Sequence, residues 1–190
     1  ADLSKKDYRA VMEMEELEKL IARLKSAPLF AIDTETTSQN PMGARLVGLS
    51  FALQADEAFY IPCAHDYIGA PRQLPLDEVL NLLRPVLEDP AIKKIGQNIK
   101  YDWIVLTRHG VRLAGVVFDT MIASYLLDAS RRGHSLDDLA LEYLGHTMIS
   151  YTDVAGPKGA SQKGFDQVEV ETGSVYACED AHATWRLTRI

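Results

Sequence analysis

Two carboxylates one residue apart, Asp33 and Glu35, are the first feature of this 190-residue sequence that could do chemistry. They lie in the run Phe30-Ala31-Ile32-Asp33-Thr34-Glu35-Thr36-Thr37. Residues 29–32 read as the apolar start of a strand, and alternation along a strand puts Asp33 and Glu35 on one face. Two negative charges at that spacing repel, and sheet packing gives no reason to gather them. A divalent cation held by hard oxygen ligands does. Taken alone, the tripeptide is better explained as a strand that ends in a solvated acidic turn. The metal reading therefore needs further carboxylates able to converge on the same point.

Two segments supply them. Gly96-Gln97-Asn98-Ile99-Lys100-Tyr101-Asp102 follows a short strand and opens a helix, and its four-residue spacing predicts that Asn98 and Asp102 share one helical face. An N-capping Asn98 and a first-turn charge at Asp102 account for this segment in isolation. The other segment is Tyr176-Ala177-Cys178-Glu179-Asp180, where the same spacing stacks Tyr176 over Asp180. A tyrosine hydroxyl beside a metal-bound carboxylate could orient an attacking water and help to deprotonate it. The ordinary alternative is a core tyrosine near a surface aspartate. Glu179 points elsewhere and receives no role. Cys63 and Cys178 lack CxxC spacing, and the five histidines form neither HxxxH nor HExxH, so carboxylates are the credible metal ligands.

These residues need elements to hold them. Residues 14–24 have apolar positions at helical spacing, and Pro28 stops that helix before the Asp33 strand. Residues 46–53 and 58–61 read as two more strands, joined by short links into an antiparallel meander. Residues 76–87 return to helical spacing, with Pro85 expected to kink or end the helix early. A strand at 91–96, a helix at 98–108 and a strand at 116–118 follow. Asp119 is the predicted N-cap of a helix carrying Met121, Ile122, Tyr125 and Leu126 on one side. Ser135 opens another helix that Gly145 ends, with Leu136, Leu139, Tyr143 and Leu144 as its buried stripe. Residues 151–166 read as a mobile surface loop, and 168–190 as a final helix without a stop signal. The sum is an α/β fold, a mixed five-stranded sheet of three antiparallel strands followed by parallel ones, flanked by helices.

Length and composition fit one domain spanning residues 1–190, at 47% hydrophobic and 25% charged residues. No apolar run is long enough to cross a bilayer and the first ten residues lack a signal-peptide core, so a cytoplasmic monomer without membrane contact is expected. A net charge of −7 argues against a broad basic nucleic-acid surface. It leaves a phosphodiester substrate open, because cations at a carboxylate cluster reverse the local sign that a phosphate meets.

Asp33-Thr34-Glu35, then Asn98 with Tyr101-Asp102, then Tyr176 with Asp180, in this order and spacing, resemble the three motifs of the four-carboxylate 3'-5' exonucleases. More narrowly, nearly the whole chain resembles the proofreading exonuclease domains of bacterial DNA polymerase I. Tyr60-Ile61-Pro62 with His65-Asp66-Tyr67, and Phe118-Asp119-Thr120-Met121, extend the likeness beyond the acidic motifs. The related histidine type would carry histidine five residues before the last aspartate, where this chain has Val175 followed by Tyr176. The resemblance therefore implies the tyrosine type and a ribonuclease-H-like fold.

It also implies a mechanism. Asp33, Glu35 and Asp180 would hold one divalent ion, and Asp33, with Asp102 through water, a second. Magnesium or manganese is implied, with zinc possible at the tighter site. Tyr176 and Glu35 would orient the water that cuts the phosphodiester of a single-stranded or frayed DNA 3' end, releasing a 5'-mononucleotide. Thr36, Gln97, Asn98, Met121 and Tyr151 match contacts to the terminal nucleotides, Tyr151 by stacking, while Phe165 is expected to pack. Two positions depart from the family. Gln39 stands where relatives place an apolar wedge, and Gly133 replaces an arginine before His134, with Arg131 and Arg132 as candidate substitutes. The open helical end suggests a chain excised from a longer one whose polymerase domain follows. The alternatives are a ribonuclease-D-like RNA trimmer and a non-catalytic nucleic-acid-binding module, the latter expected to have lost at least one carboxylate.

Overall fold

The computed structural model describes residues 6–159 and 161–190. The first five residues of the N-terminal stretch, and Ala160 within the 151–166 segment, lie outside them. Six strands form one sheet: β1 (Asp7–Ala10), β2 (Phe30–Thr36), β3 (Leu46–Gln54), β4 (Glu57–Pro62), β5 (Lys94–Gly96) and β6 (Val116–Asp119). Their spatial order is β1-β4-β3-β2-β5-β6. The pairs β2/β3 and β3/β4 are antiparallel, and β2/β5 and β5/β6 are parallel, as the sequence predicts. The expected five strands become six because β1 adds in parallel to β4. Its four residues, Asp7-Tyr8-Arg9-Ala10, carry no apolar run, so periodicity gives no sign of them.

Helices α1 (Met14–Ser26), α2 (Leu76–Leu87) and α3 (Lys100–Arg108) cover one face of the sheet. Leu17, Leu24, Leu83, Val86 and Val105 pack there against Phe30 and Ile32 of β2. Each such side chain, fully buried, contributes roughly 1.5–3 kcal/mol relative to exposure. Pro85 does not stop α2 early, because the buried Val86 and Leu87 hold the last turn in the core and Glu88 N–H closes it on the Arg84 carbonyl. The other face is covered by α7 (Val170–Leu187), whose Ala177, Cys178 and Ala181 lie against Ala31, Val47, Ala52 and Ile95. Small residues on both sides bring this helix close to the strands. That closeness lets its polar residues reach the end of β2.

Between β6 and α7 the chain differs most from expectation. Helix α4 (Thr120–Leu127) is capped by Asp119, which accepts hydrogen bonds from the Met121 and Ile122 amides as predicted, but Ile122, Tyr125 and Leu126 face outward. Helix α5 (Leu136–Leu139) opens with a reciprocal capping box between Ser135 and Asp138, then widens into a π-helical turn at Ala140–Leu144. Gly145, at φ +64°, ends it in the left-handed conformation that glycine adopts without strain. Leu139 and Leu144 are buried, whereas Tyr143 of the expected stripe is exposed. The predicted 151–166 loop begins as a short helix, α6 (Tyr151–Ala155), because Ser150 and Asp153 form another capping box. A 3-10 turn at Phe165–Gln167 leads into α7, and Phe165 is fully buried, the packing role expected of it.

A buried polar chain ties α7's approach to the sheet. The Val168 carbonyl can only accept, so His65 Nδ1 donates to it at 2.8 Å and Nε2 is left to accept from the Tyr60 hydroxyl at 2.8 Å. Tyr60 fits only because residue 48 has no side chain, since a Cβ there would lie 2.3 Å from the Tyr60 hydroxyl oxygen. Gly48→Ala should therefore destabilise the fold by about 1–3 kcal/mol through overpacking, read as a lower urea midpoint with unchanged m-value. A midpoint equal to wild type would show that Tyr60 is free to shift.

Candidate metal centre

Strand β2 is a rigid place on which to mount a reactive group, because it lies inside the sheet between β3 and β5. Within its register Asp33 pairs with Ser50 and Glu35 with Gly48, and the pairing shifts between Glu35 and Thr36. Such an irregularity sharpens local twist at the point where the carboxylates are presented. Asp33 and Glu35 share a face, and Asp180 of α7 meets them there. One ligand atom from each of Asp33, Glu35 and Asp180 lies within 4.8 Å of the others.

Among the described residues no cation pairs with this trio. Glu35 is buried, and its Oε1 has no hydrogen-bond partner among the described residues. An unpaired carboxylate oxygen away from water is costly, and native proteins keep one only where something else satisfies it. Burial pushes the Asp33 carboxyl up to about 7, with the Thr34 amide pulling weakly against it. Burial also raises Glu35 well above the usual range, reinforced by the charges of Asp33, Asp180 and Asp102. Asp180 is raised by burial and then by Asp33. Three hard oxygen donors, one of them orphaned and all of them raised by burial in a way that a nearby positive charge would offset, fit a divalent cation.

Asp102 comes from the first turn of α3 and does not belong to the trio. It is buried, and the Thr34 hydroxyl donates to its Oδ1 at 2.5 Å. Burial and then Asp33's charge raise its carboxyl, which that hydrogen bond only partly offsets. Thr34 thus links strand and helix, a role that sequence reasoning missed because a threonine between two acids carries no signal of its own.

The predicted helical face shared by Asn98 and Asp102 does not form. Asn98 lies outside α3 in the left-handed region at φ +53°, which asparagine tolerates better than most residues. Asp119 stabilises this turn, its carboxylate accepting from the Asn98 amide at 3.1 Å and the Ile99 amide at 2.9 Å while also capping α4. One carboxylate therefore serves four amides and fixes the starts of α3 and α4 together. The cap was legible in sequence, but the two distant amides were not.

Tyr176 lies one turn before Asp180, as the spacing requires. Its ring packs against Phe165 and Tyr151, with centroids 5.8 Å and 6.2 Å away. Burial first, then Asp180 and Glu35, raise its hydroxyl far above the ordinary phenol range, so it stays protonated at any physiological pH. Thr36, Asn98, Tyr151 and Tyr176 all line the cleft in front of Glu35. Gln97 and Met121 do not line it. Gln97 is engaged behind it, donating to the His134 carbonyl at 2.9 Å and accepting from the Thr120 hydroxyl. Gln39 lines the cleft as well, in an exposed position.

Glu179, given no role from sequence, is a buried anchor. It accepts from Lys6 Nζ at 2.8 Å, His146 Nε2 at 2.9 Å and the Ile149 amide at 2.6 Å. Burial would raise its carboxyl, but these three donors hold it below the usual value. Through it the segment that opens α6, and with it Tyr151, is fastened beside Asp180.

A sequence profile described as a 3'-5' exonuclease matches residues 8–190. The DNA polymerase I of Pseudomonas aeruginosa is 47% identical over 95% of this chain, which spans 20% of that protein's length. Among solved structures, Brucella melitensis NrnC with bound Mg2+ superposes with a TM-score of 0.61 at 25% identity, covering 86% of this chain and 71% of that one. The catalytic core of RRP6 from Trypanosoma brucei superposes with a TM-score of 0.72 at 20% identity, covering 99% of this chain and 46% of that one. At that identity the latter shows the shared ribonuclease-H-like fold alone.

The raised carboxyls set a pH dependence for the metal-free protein. Each holds its proton more tightly folded than unfolded, so the stabilisation is complete below about pH 4, the unfolded value, and is lost as pH rises through the folded values. With Asp33 at about 7, melting temperature should fall between pH 5 and pH 8 in chelator, and added manganese should restore it at pH 8 while doing little at pH 5. Asp33→Asn should flatten the slope. A chelated protein equally stable at both pH values would contradict this account.

Proposed function

Because the chain belongs to the 3'-5' exonuclease family, we propose that it removes nucleotides from single-stranded or frayed DNA 3' ends by metal-dependent hydrolysis, releasing 5'-mononucleotides. The observation that carries this reading is the trio of Asp33, Glu35 and Asp180 around the orphaned Glu35 Oε1. No ordinary packing purpose explains it. A non-catalytic binding module has no use for a destabilising acidic cluster.

Asp33, Glu35 and Asp180 would hold one divalent ion, and Asp33 with Asp102 a second, magnesium or manganese being the suited hard cations. Bound there, such ions would supply the chemistry that lowers the pKa of an attacking water and stabilises a departing 3' oxygen. The chain's own groups position the reactants. Glu35 Oε1 is free to accept a hydrogen bond from the water, and the Tyr176 hydroxyl, kept neutral, orients that water as a donor and acceptor rather than acting as the base. Tyr151 supplies a face on which the terminal base stacks without regard to sequence. Thr36 and Asn98 offer polar contacts beside it, and Gln97 and Met121 support the same end of the cleft through the starts of α3 and α4. In a longer chain like those of its relatives, this unit would correct the products of a polymerase domain on the same polypeptide.

Asp180→Asn keeps the shape of the side chain and removes one ligand charge. It should lower turnover on a labelled oligodeoxynucleotide by more than the roughly 10–100-fold that loss of an outer-sphere partner costs, with thermal stability in chelator unchanged or raised. Wild-type rates in that variant would remove Asp180 from the site. Matched DNA and RNA strands differ only in the 2' hydroxyl, and the DNA strand should be consumed faster. Preference for RNA would favour the ribonuclease-D-like reading instead.

A further inference from the structure

A polynucleotide entering this cleft carries one negative charge per phosphate toward a cluster of four carboxylates, in a chain that is itself at −7. Cations at the carboxylates screen the scissile linkage, but the linkages behind it also need a positive partner. Residue 133 is a glycine and supplies no charge, and a Cβ there would lie 2.1 Å from Asp138 Oδ2. Arg131 is engaged elsewhere. Its guanidinium pairs with Glu142 and lies 5.5 Å over the Tyr143 ring. Arg132 lines a different depression on the surface, beside Asp138 and Glu142.

The cleft nevertheless has basic side chains on its wall. Among the described residues lining it, Lys158 and Lys163 are the only two that carry positive charge, and neither forms an ion pair with a described carboxylate. Cations that a carboxylate already holds, as Glu57 holds Arg23 and Glu179 holds Lys6, could not serve a phosphate in this way. The backbone that carries the two lysines is fastened to α6. The Lys163 amide donates to the Ala155 carbonyl at 2.9 Å, and the Tyr151 hydroxyl donates to the Lys163 carbonyl at 3.2 Å. Gln162 Nε2 closes the same loop on the Gly156 carbonyl at 3.0 Å. The aromatic face that would receive the terminal base and the free ammonium groups are thereby built from one short unit.

We propose that Lys158 and Lys163 form the phosphate clamp of the site, holding the sugar-phosphate backbone of the bound strand while Tyr151 stacks on its end. This inference rests on the exonuclease reading and names the part of the chain that grips the substrate. Lysine suits this purpose, since its compact ammonium binds phosphate as a charge and imposes no planar geometry on a strand that must advance after every cut.

The test is the salt dependence of hydrolysis of a labelled oligothymidylate by the intact chain with magnesium. Single strands release about 0.7 counterion per neutralised phosphate, so Lys158→Ala with Lys163→Ala should make the log–log salt dependence of kcat/KM shallower by about 1.4. At about 0.2 M salt this corresponds to a KM roughly tenfold above wild type, closing toward equality near about 1 M. Turnover at saturating substrate should not change. The Lys158→Arg, Lys163→Arg pair should keep the wild-type slope, which a merely structural role of the loop would not predict. An alanine variant whose slope and KM match wild type, while wild type degrades the strand, overturns the clamp alone. Failure of wild type to degrade the strand at all overturns the exonuclease reading, and the clamp with it.

Discussion

Mutual repulsion among carboxylates that the fold refuses to let apart is the interaction on which the rest of this structure depends. Asp33, Glu35 and Asp180 come from a central strand and the last helix, and no described side chain balances their charge. A protein gains nothing in stability from such a cluster. It persists because each member is fixed by something stronger than the repulsion: Asp33 and Glu35 by the pairing of β2 with β3, and Asp180 by the close seating of α7. The strain is local and the scaffold that bears it is large.

The two faces of the sheet divide this labour. Large aliphatic and aromatic side chains fill the face under α1, α2 and α3, and they provide most of the apolar burial. The opposite face is richer in small residues, with Ala31, Ala52, Ala58, Ala177, Cys178 and Ala181 among those that let α7 approach the strands. Polar links then set its position: Tyr60 through His65 to the Val168 carbonyl, and Glu179 to Lys6, His146 and Ile149. Asp102 reaches the same neighbourhood from the other side of the sheet, held by Thr34. The acidic site is where the two halves of the core meet.

Much of this could be read from the sequence because strand and helix periods translate spacing into direction. Asp33 and Glu35 two apart, and Tyr176 and Asp180 four apart, needed only those periods. What escaped reading depends on contacts between distant segments or on a single backbone angle. Strand β1 is short and charged, and it exists because β4 offers it an edge. Asn98 looked like the first residue of a helix, but a left-handed turn held by Asp119 delays that helix by two residues. Residues 151–166 looked like a loop because of their Gly, Pro and Lys content, and the Ser150 capping box that starts α6 lay just outside them. The apolar side of α4 was correctly periodic, yet period alone does not say whether a neighbour covers it.

The most direct measurement is diffraction from crystals soaked in manganese, with data collected at the manganese absorption edge. The account predicts an anomalous peak within coordination range of Asp33, Glu35 and Asp180, weakened or lost in an Asp180→Asn crystal. A manganese-soaked crystal with no peak at those three carboxylates, or with its only peak elsewhere, would contradict the claim that their repulsion is relieved by bound cations.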